Sequence, residues 1–335
     1  MTNIRAVSKL AGVSVATVSR ALQKPELVSE KTREKVKAAA QEADYKPNMM
    51  AVNFRSRKSH AIMVLVPDVS NVFFSKVISG IQAAAKAHGY NIILGNTMGD
   101  EGLEQELANM LQTNQADGII QLSARFPLPK TDLHGDSSLP IVNCCECVDD
   151  ASMPTVSLDN QGAGTAVTKH LLELGHKRIG AILGPSDSPL TSARLNGYRS
   201  ALNGNGIAFD ESLLAQADFT IESGYKAVDI LLDIPSPPTA VFCFSDEMAI
   251  GAIKRVKERG LKVPEDISIA GFDDLEFSGY IDPPLTTIKQ PNRRFGAKSV
   301  ETLLDIIEGR AIENQNITLP FELLVRSSTA TLGAK

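Results

Sequence analysis

From Ala61 onward, short apolar runs alternate with amphipathic segments, and after Asn160 the same alternation starts again. The run Ala61-Ile62-Met63-Val64-Leu65-Val66-Pro67 is continuously apolar, the mark of a strand covered on both faces. The periodicity then predicts a helix over Phe74–His88, a strand over Asn91–Asn96, a helix over Leu103–Thr113 and strands over Gly118–Leu122, Pro140–Cys145 and Thr155–Asp159. The second round predicts helices over Ala163–Leu174, Leu190–Gly204, Ser223–Leu232 and Asp246–Gly260. Its strands are expected over Arg178–Gly184, near Phe219, over Thr239–Phe244 and over Ile267–Gly271. Such repetition implies parallel sheets with helices on both faces, and its length implies two such lobes in tandem. Ligands then bind at the carboxyl ends of strands and in the cleft between lobes. The helix over Phe295–Ile307 and the segment Ile317–Arg326 follow completion of the second sheet, so the chain is expected to cross back. That gives a core of residues 60–335, with one lobe over about 60–160 and 291–320 and the other over about 161–290 and 321–335.

The first 60 residues follow a different pattern. They hold 12 Lys and Arg against 5 Asp and Glu, whereas residues 61–335 hold 22 against 34, so a net charge of −5 conceals +7 on the head and −12 on the body. A basic head on an acidic body suits a nucleic-acid module joined to a ligand or partner domain. Within the head, helices are expected over Ile4–Ala11, Val15–Leu22 and Glu30–Ala43. Gly12 allows the positive φ of a sharp inter-helix turn. Ser14 is a good N-cap for the second helix, and Ser29 for the third. The second helix buries Val18 and turns Val15, Ala16, Ser19 and Arg20 outward, with a small first turn that can approach base edges in a major groove. A generic amphipathic hairpin would look much the same; the charge tips the reading towards a helix-turn-helix domain over residues 1–46. Residues 48–56, within a connecting segment of 47–59, could form one more short helix. Alone in water it would be too short to be stable, which suits folding on binding; a plain linker is the alternative.

Other classes fit poorly. No apolar run approaches the roughly 18–20 residues of a membrane span, and Met1-Thr2-Asn3-Ile4-Arg5-Ala6-Val7 contains no secretory signal core. The expected location is therefore the cytoplasm, with no membrane partner. Four cysteines, three of them in Cys144-Cys145-Glu146-Cys147, make neither a disulfide framework nor a zinc-ligand spacing. Gly162-Ala163-Gly164 opens a helix after a strand, but Val167 stands where a third phosphate-binding glycine would be, and no P-loop, G-x-S-x-G or HExxH is present. The reading is of a protein without enzymatic activity, cofactor or metal. A transport-type binding protein would share the two-lobed body but not the basic head.

At this point the residues resemble the lactose/galactose repressor (LacI/GalR) family over essentially the whole chain. The resemblance is carried by Val7-Ser8-Lys9-Leu10-Ala11-Gly12-Val13-Ser14-Val15-Ala16-Thr17-Val18-Ser19-Arg20, Asn71-Val72-Phe73-Phe74, Asp159-Asn160 and Gly175-His176-Lys177-Arg178-Ile179. Arg194-Leu195-Asn196-Gly197-Tyr198, Ser245-Asp246-Glu247-Met248-Ala249-Ile250-Gly251, Val263 to Asp274 and Pro283 to Ile288 continue it in order. It implies a small all-α helix-turn-helix domain plus a periplasmic-binding-protein-like α/β core. It also implies a homodimer that reads a near-palindromic operator and a small effector in the cleft. No leucine heptad follows the core before Lys335, so a tetramer is not expected.

Carried over by position, Val15, Ala16 and Arg20 would lie on the major-groove face, with Arg20 able to donate a pair of hydrogen bonds to guanine. Thr17 and Ser19 would meet phosphate. Asn48, Asn53 and Arg55 would contact the minor groove or backbone around Phe54, which stands where the family usually inserts leucine as a wedge. In the cleft the resemblance implies Phe73, Phe74, Glu146, Arg194, Phe219, Ser245, Asp246 and Asp273 as effector contacts. Aromatic faces there can stack on a ring, and Arg194 and Asp273 can hold hydroxyls. Asp246 could instead cap the helix that starts there. Cys145-Glu146 replaces the Asn/Asp-Arg pair of many sugar-responsive members. This swap argues against an anionic effector and is compatible with a base amine or a hydroxyl. Leu190 to Arg194 and Gly224 to Asp246 are similar to members that control nucleoside uptake, so a nucleoside is the favoured effector and a sugar the second.

Overall fold

The computed structural model describes residues 3–46, 58–125, 127–128, 139–146, 153–312 and 314–333. The chain divides into two compact units, one within residues 1–59 and one over 60–335, and each is built around its own core. No helix among the described residues is long and apolar enough to cross a membrane.

In the smaller unit, helices α1 (Ile4–Ala11), α2 (Val15–Gln23) and α3 (Glu30–Glu42) enclose Val7, Ala11, Val18, Ala21, Val36 and Ala39. Gly12 ends α1 at φ 62°, a conformation a side chain would disfavour. The turn is tied by Ser8 Oγ donating to the Val13 carbonyl at 2.6 Å. Ser14 then caps α2, its Oγ accepting from the Thr17 N–H at 3.1 Å. Ser29 behaves differently from expectation. Its hydroxyl pairs with that of Thr32 at 2.9 Å and makes no side-chain bond to the backbone of the first turn.

The larger unit has two lobes. Strands β1 (Ala61–Val66), β2 (Asn91–Asn96), β3 (Gly118–Gln121), β4 (Ile141–Cys144) and β5 (Thr155–Leu158) join β11 (Asn316–Leu319) in a parallel sheet of order β11-β5-β4-β3-β1-β2. Helices α4 (Val72–Ala87), α5 (Glu101–Gln112) and α10 (Asn292–Ile307) pack on that sheet. The second lobe holds β6 (Ile179–Leu183), β7 (Leu214–Gln216), β8 (Ala240–Cys243) and β9 (Ser268–Ala270) in the parallel order β7-β6-β8-β9. Its helices are α6 (Asn160–Glu173), α7 (Pro189–Gly204), α8 (Ile221–Leu232) and α9 (Asp246–Glu258). The strand expected near Phe219 lies earlier, at Leu214–Gln216, and Phe219 itself sits in the following loop at φ 70°.

After β9 the chain crosses back. Thr287–Lys289 forms β10, which pairs antiparallel with β12 (Glu322–Leu324), while α10 and β11 complete the first lobe between them. The tail then returns to the second lobe, where the Ile269 N–H meets the Ser328 carbonyl at 2.8 Å and the Leu332 N–H meets that of Leu174 at 2.8 Å.

Glycine sets the closest helix crossings. A Cβ on Gly164 would lie 2.6 Å from the Arg194 carbonyl oxygen, and one on Gly197 would lie 2.7 Å from the Thr165 nitrogen, so α6 and α7 touch backbone to backbone. This explains the Gly162-Ala163-Gly164 run, since Gly162 accommodates the Asp159 carboxylate that caps α6 and Gly164 accommodates α7.

Candidate functional site

In the helical unit Val15, Ala16 and Arg20 are exposed on α2, while Thr17 and Ser19 are half-buried. Val15 is 40% exposed. The Thr17 hydroxyl sits 2.8 Å from the Ser14 hydroxyl, so it also serves the cap of its own helix. Asn48, Asn53, Phe54 and Arg55 fall outside the described residues.

The second site lies where the carboxyl ends of strands from both lobes meet. Phe73 and Phe74 open α4, because Asn71 caps that helix by accepting from the Phe73 N–H at 2.9 Å. The two rings stand edge to face, 5.3 Å apart. Facing them across a cavity of about 560 Å³, counted with its open mouth, are Glu146 and Cys145 beyond β4, and Arg194, Phe219, Ser245, Glu247 and Asp273 from the second lobe. That mixed lining of aromatic rings and charged or polar groups suits a small polar-aromatic molecule.

Arg194 forms the floor. Its Nε donates to Asn160 Oδ1 at 3.0 Å and its Nη1 to the Phe244 carbonyl, while the guanidinium lies 3.7 Å over the Phe272 ring. Burial works against its charge and lowers its pKa, whereas Asp273, Glu146 and Asp246 support the charge. Asp273 follows β9 at φ 118°, and this strained backbone turns its carboxylate inward, where Gln290 Nε2 donates to Oδ1 at 2.6 Å. Burial raises its pKa to about 8, with Arg194 pulling the other way. Glu146 is likewise raised by burial, to about 7, against the pull of Arg194. Its Oε2 is buried with no hydrogen-bond partner. An orphaned buried acceptor in a cavity wall is expensive unless something donates to it.

Seven of the eight effector positions expected from the sequence therefore converge on one cavity. Asp246 does not. Its side chain is wholly buried in the second lobe, accepting from the Leu275 N–H at 2.9 Å, Ser278 Oγ at 2.6 Å and Thr287 Oγ1 at 2.5 Å. Nor does it cap α9, because Ser245 does so through the Met248 N–H at 3.2 Å. The reason lies in the helix start. Ser245 is the last extended residue and faces the cleft, so the next side chain points back into the lobe. Glu247, Leu275 and Gln290 also line the cavity, beyond the positions expected from the sequence. Gln290 follows β10, a three-residue strand too short to leave a periodic signal.

Comparison with known proteins agrees with this architecture. Residues 3–48 match the family of bacterial regulatory proteins of the lacI type, and residues 59–325 match the periplasmic binding proteins and sugar binding domain of the LacI family. The chain belongs to the LacI family. Accordingly it is a DNA-binding transcriptional regulator with an effector-binding core. It is 42% identical over 326 residues, 97% of this chain and 96% of the relative, to the HTH-type transcriptional repressor CytR of Escherichia coli K12. It is 35% identical over 336 residues, 99% of this chain and all of the relative, to the HTH-type transcriptional repressor PurR of Vibrio atlanticus. Among solved structures, the lac repressor dimer bound to operator and the anti-inducer ONPF aligns with a TM-score of 0.86 at 30% identity, covering 98% of this chain and 99% of that one. A complex of the regulator CelR with cellobiose aligns at 0.74 and 31%, covering 98% and 100%.

Proposed function

We propose that this LacI-family member is a cytoplasmic repressor that binds a near-palindromic operator as a homodimer and releases it when a nucleoside occupies the cleft. The observation that carries the effector class is Glu146, a half-buried residue whose Oε2 is buried and free, set in the same cavity as the Phe73–Phe74 pair. A nucleobase offers what this arrangement lacks: a flat face for the rings and an N–H for Glu146 Oε2. The Arg194–Asp273 floor would take sugar hydroxyls, with Ser245 and Gln290 beside it. The likeness to CytR and PurR supports the same reading. In the DNA-binding part, Arg20 would read a guanine from the exposed face of α2, Thr17 and Ser19 would hold phosphate, and Asn48, Asn53, Phe54 and Arg55 would act at the operator centre.

A sugar effector is the second reading, favoured by the hydroxyl-binding chemistry of Arg194 and Asp273 and by the likeness to a cellobiose-bound regulator. Thermal-shift titration of the full chain with nucleosides, free bases, pentoses and hexoses separates the two. Stabilisation by a nucleoside is expected; stabilisation by a hexose and by no nucleoside overturns the assignment.

A further inference from the structure

Beyond Phe74 and Glu146 the inner cavity opens into a wider vestibule, bounded by Asp68, Glu104 and Arg125 from the first lobe and by Asp187, Asp218 and Glu247 from the second. With Glu146, six carboxylates thus face one guanidinium, and that guanidinium is already turned to the Gly99 carbonyl, 3.3 Å from Nη1. The charges are held in place. Asp68 Oδ1 accepts from the Ser70 N–H and hydroxyl at 2.8 and 2.7 Å, and Asp218 Oδ1 accepts from the same groups of Thr220 at 3.0 and 2.6 Å. The two rims sense each other: burial and the Asp68 charge across the cleft raise the Glu247 pKa, while the Val72 N–H lowers it. Glu146, whose buried Oε2 has no partner, lines both the inner cavity and the vestibule. The vestibule therefore adjoins the site, with Asn71, Phe74, Glu146, Phe219 and Glu247 lining both.

Helix N-termini at a cleft ordinarily attract anions. Here most are met from within. Asn71 accepts from the first turn of α4, Thr220 from that of α8 and Ser245 from that of α9. The start of α7 at Pro189 has no side-chain cap but lies beside Asp187. The Arg194 guanidinium is already engaged by Asn160, the Phe244 carbonyl and the Phe272 ring.

We propose that the vestibule is a charge filter, admitting the unphosphorylated effector and rejecting its phosphorylated form. The proposal rests on the reading of this cleft as the effector site. A phosphate carries close to two negative charges at neutral pH. Attached to a molecule seated on Arg194 and reaching past Glu146, it would enter the vestibule, whose lining is anionic. Like charges so placed repel through a cleft whose low-dielectric walls focus the field.

The test is calorimetric titration of the full-length protein with cytidine against cytidine 5′-monophosphate, and with ribose and glucose against their phosphates. Wild type is compared with the double variant Asp187→Asn/Asp218→Asn at low and high salt. The neutral member of the pair that binds is expected to bind on the order of tenfold or more tightly than its phosphate, with the ratio shrinking as salt rises. The double variant should narrow the ratio several-fold while leaving the neutral ligand's affinity unchanged. A phosphorylated ligand binding as tightly as its neutral partner overturns the proposal. So does a ratio indifferent to both salt and the double variant, which would make the exclusion steric. If glucose binds and no nucleoside does, the effector reading fails while the filter is still judged, on glucose against glucose 6-phosphate.

Discussion

Replacing Asp246 separates a buried structural carboxylate from a ligand contact. Its two oxygens accept from a backbone N–H and two hydroxyls, and they thereby join the start of α9 to the loop at Leu275–Ser278 and to β10. Alanine leaves these donors in a wholly buried space. An unsatisfied buried donor costs roughly 1–3 kcal/mol; the Leu275 N–H cannot turn away, whereas the two hydroxyls can partly re-aim. Counting the first in mid-range and the others at the low end gives about 4 kcal/mol for Asp246→Ala, a large fraction of an ordinary domain's stability of about 5–15 kcal/mol. Burial raises the Asp246 pKa to about 6, opposed by the hydrogen bonds from Ser278, Thr287 and Leu275. Asparagine removes the penalty on the charge but turns an amide NH2 towards these donors, so Asp246→Asn is expected to destabilise by a smaller amount. Because the chain has no tryptophan, far-UV circular dichroism against urea is the appropriate readout, with effector affinity measured on the folded variant. A structural role for Asp246 is ruled out if Asp246→Ala stays within about 1 kcal/mol of wild type while its effector affinity collapses.

Other expectations follow from the same geometry. Gly224→Ala would stabilise an open helix by up to about 1 kcal/mol, but here the new Cβ would lie 2.6 Å from the Met248 carbonyl carbon. Denaturant midpoints should therefore show a loss of about 1–3 kcal/mol, and a gain would mean that α8 and α9 part without penalty. Arg20→Ala should weaken specific operator binding by about 1–3 kcal/mol and nonspecific duplex binding much less; equal losses in a gel-shift comparison would reduce Arg20 to a phosphate contact. The acids Glu146 and Asp273 have folded pKa values raised to about 7 and about 8, above ordinary unfolded values near 4. Between these limits the folded state holds more protons than the unfolded one, so their contribution to stability falls as pH rises from about 4 to about 8. Melting curves of Glu146→Gln and Asp273→Asn should accordingly gain on wild type between pH 5 and 8, and a relative loss would reverse the sign of the burial effect.

The fold was legible because two physical signals are strong here. Continuous apolar runs such as Ala61–Val66 mark doubly covered strands, and the split of +7 against −12 marks a basic module on an acidic body. Short elements were less so. β7 and β10 span three residues each, and the chain's return to the second lobe makes sense only once β10 and β12 are paired. In the cleft, the family resemblance pointed to the aromatic pair, Arg194 and Asp273, but side-chain direction depends on where a helix begins. That is why Ser245 faces the cavity and Asp246 turns into the lobe. Gln290 carried no sequence signal, because its role comes from the Asp273 carboxylate that a strained backbone brings to it.

The central claim is that the occupant of the Phe73–Arg194–Asp273 cavity sets the affinity of the protein for its operator. Fluorescence anisotropy tests it most directly, using the full chain, an operator selected from a random duplex pool, and cytidine titrated into wild type and Phe73→Ala. Cytidine is expected to weaken operator binding by about tenfold or more. Phe73→Ala is expected to keep the unliganded operator affinity while moving the cytidine midpoint up by about tenfold, the equivalent of about 1.4 kcal/mol of lost stacking. Cytidine binding in the cleft with no change in operator affinity, or a midpoint unmoved by Phe73→Ala, would contradict it.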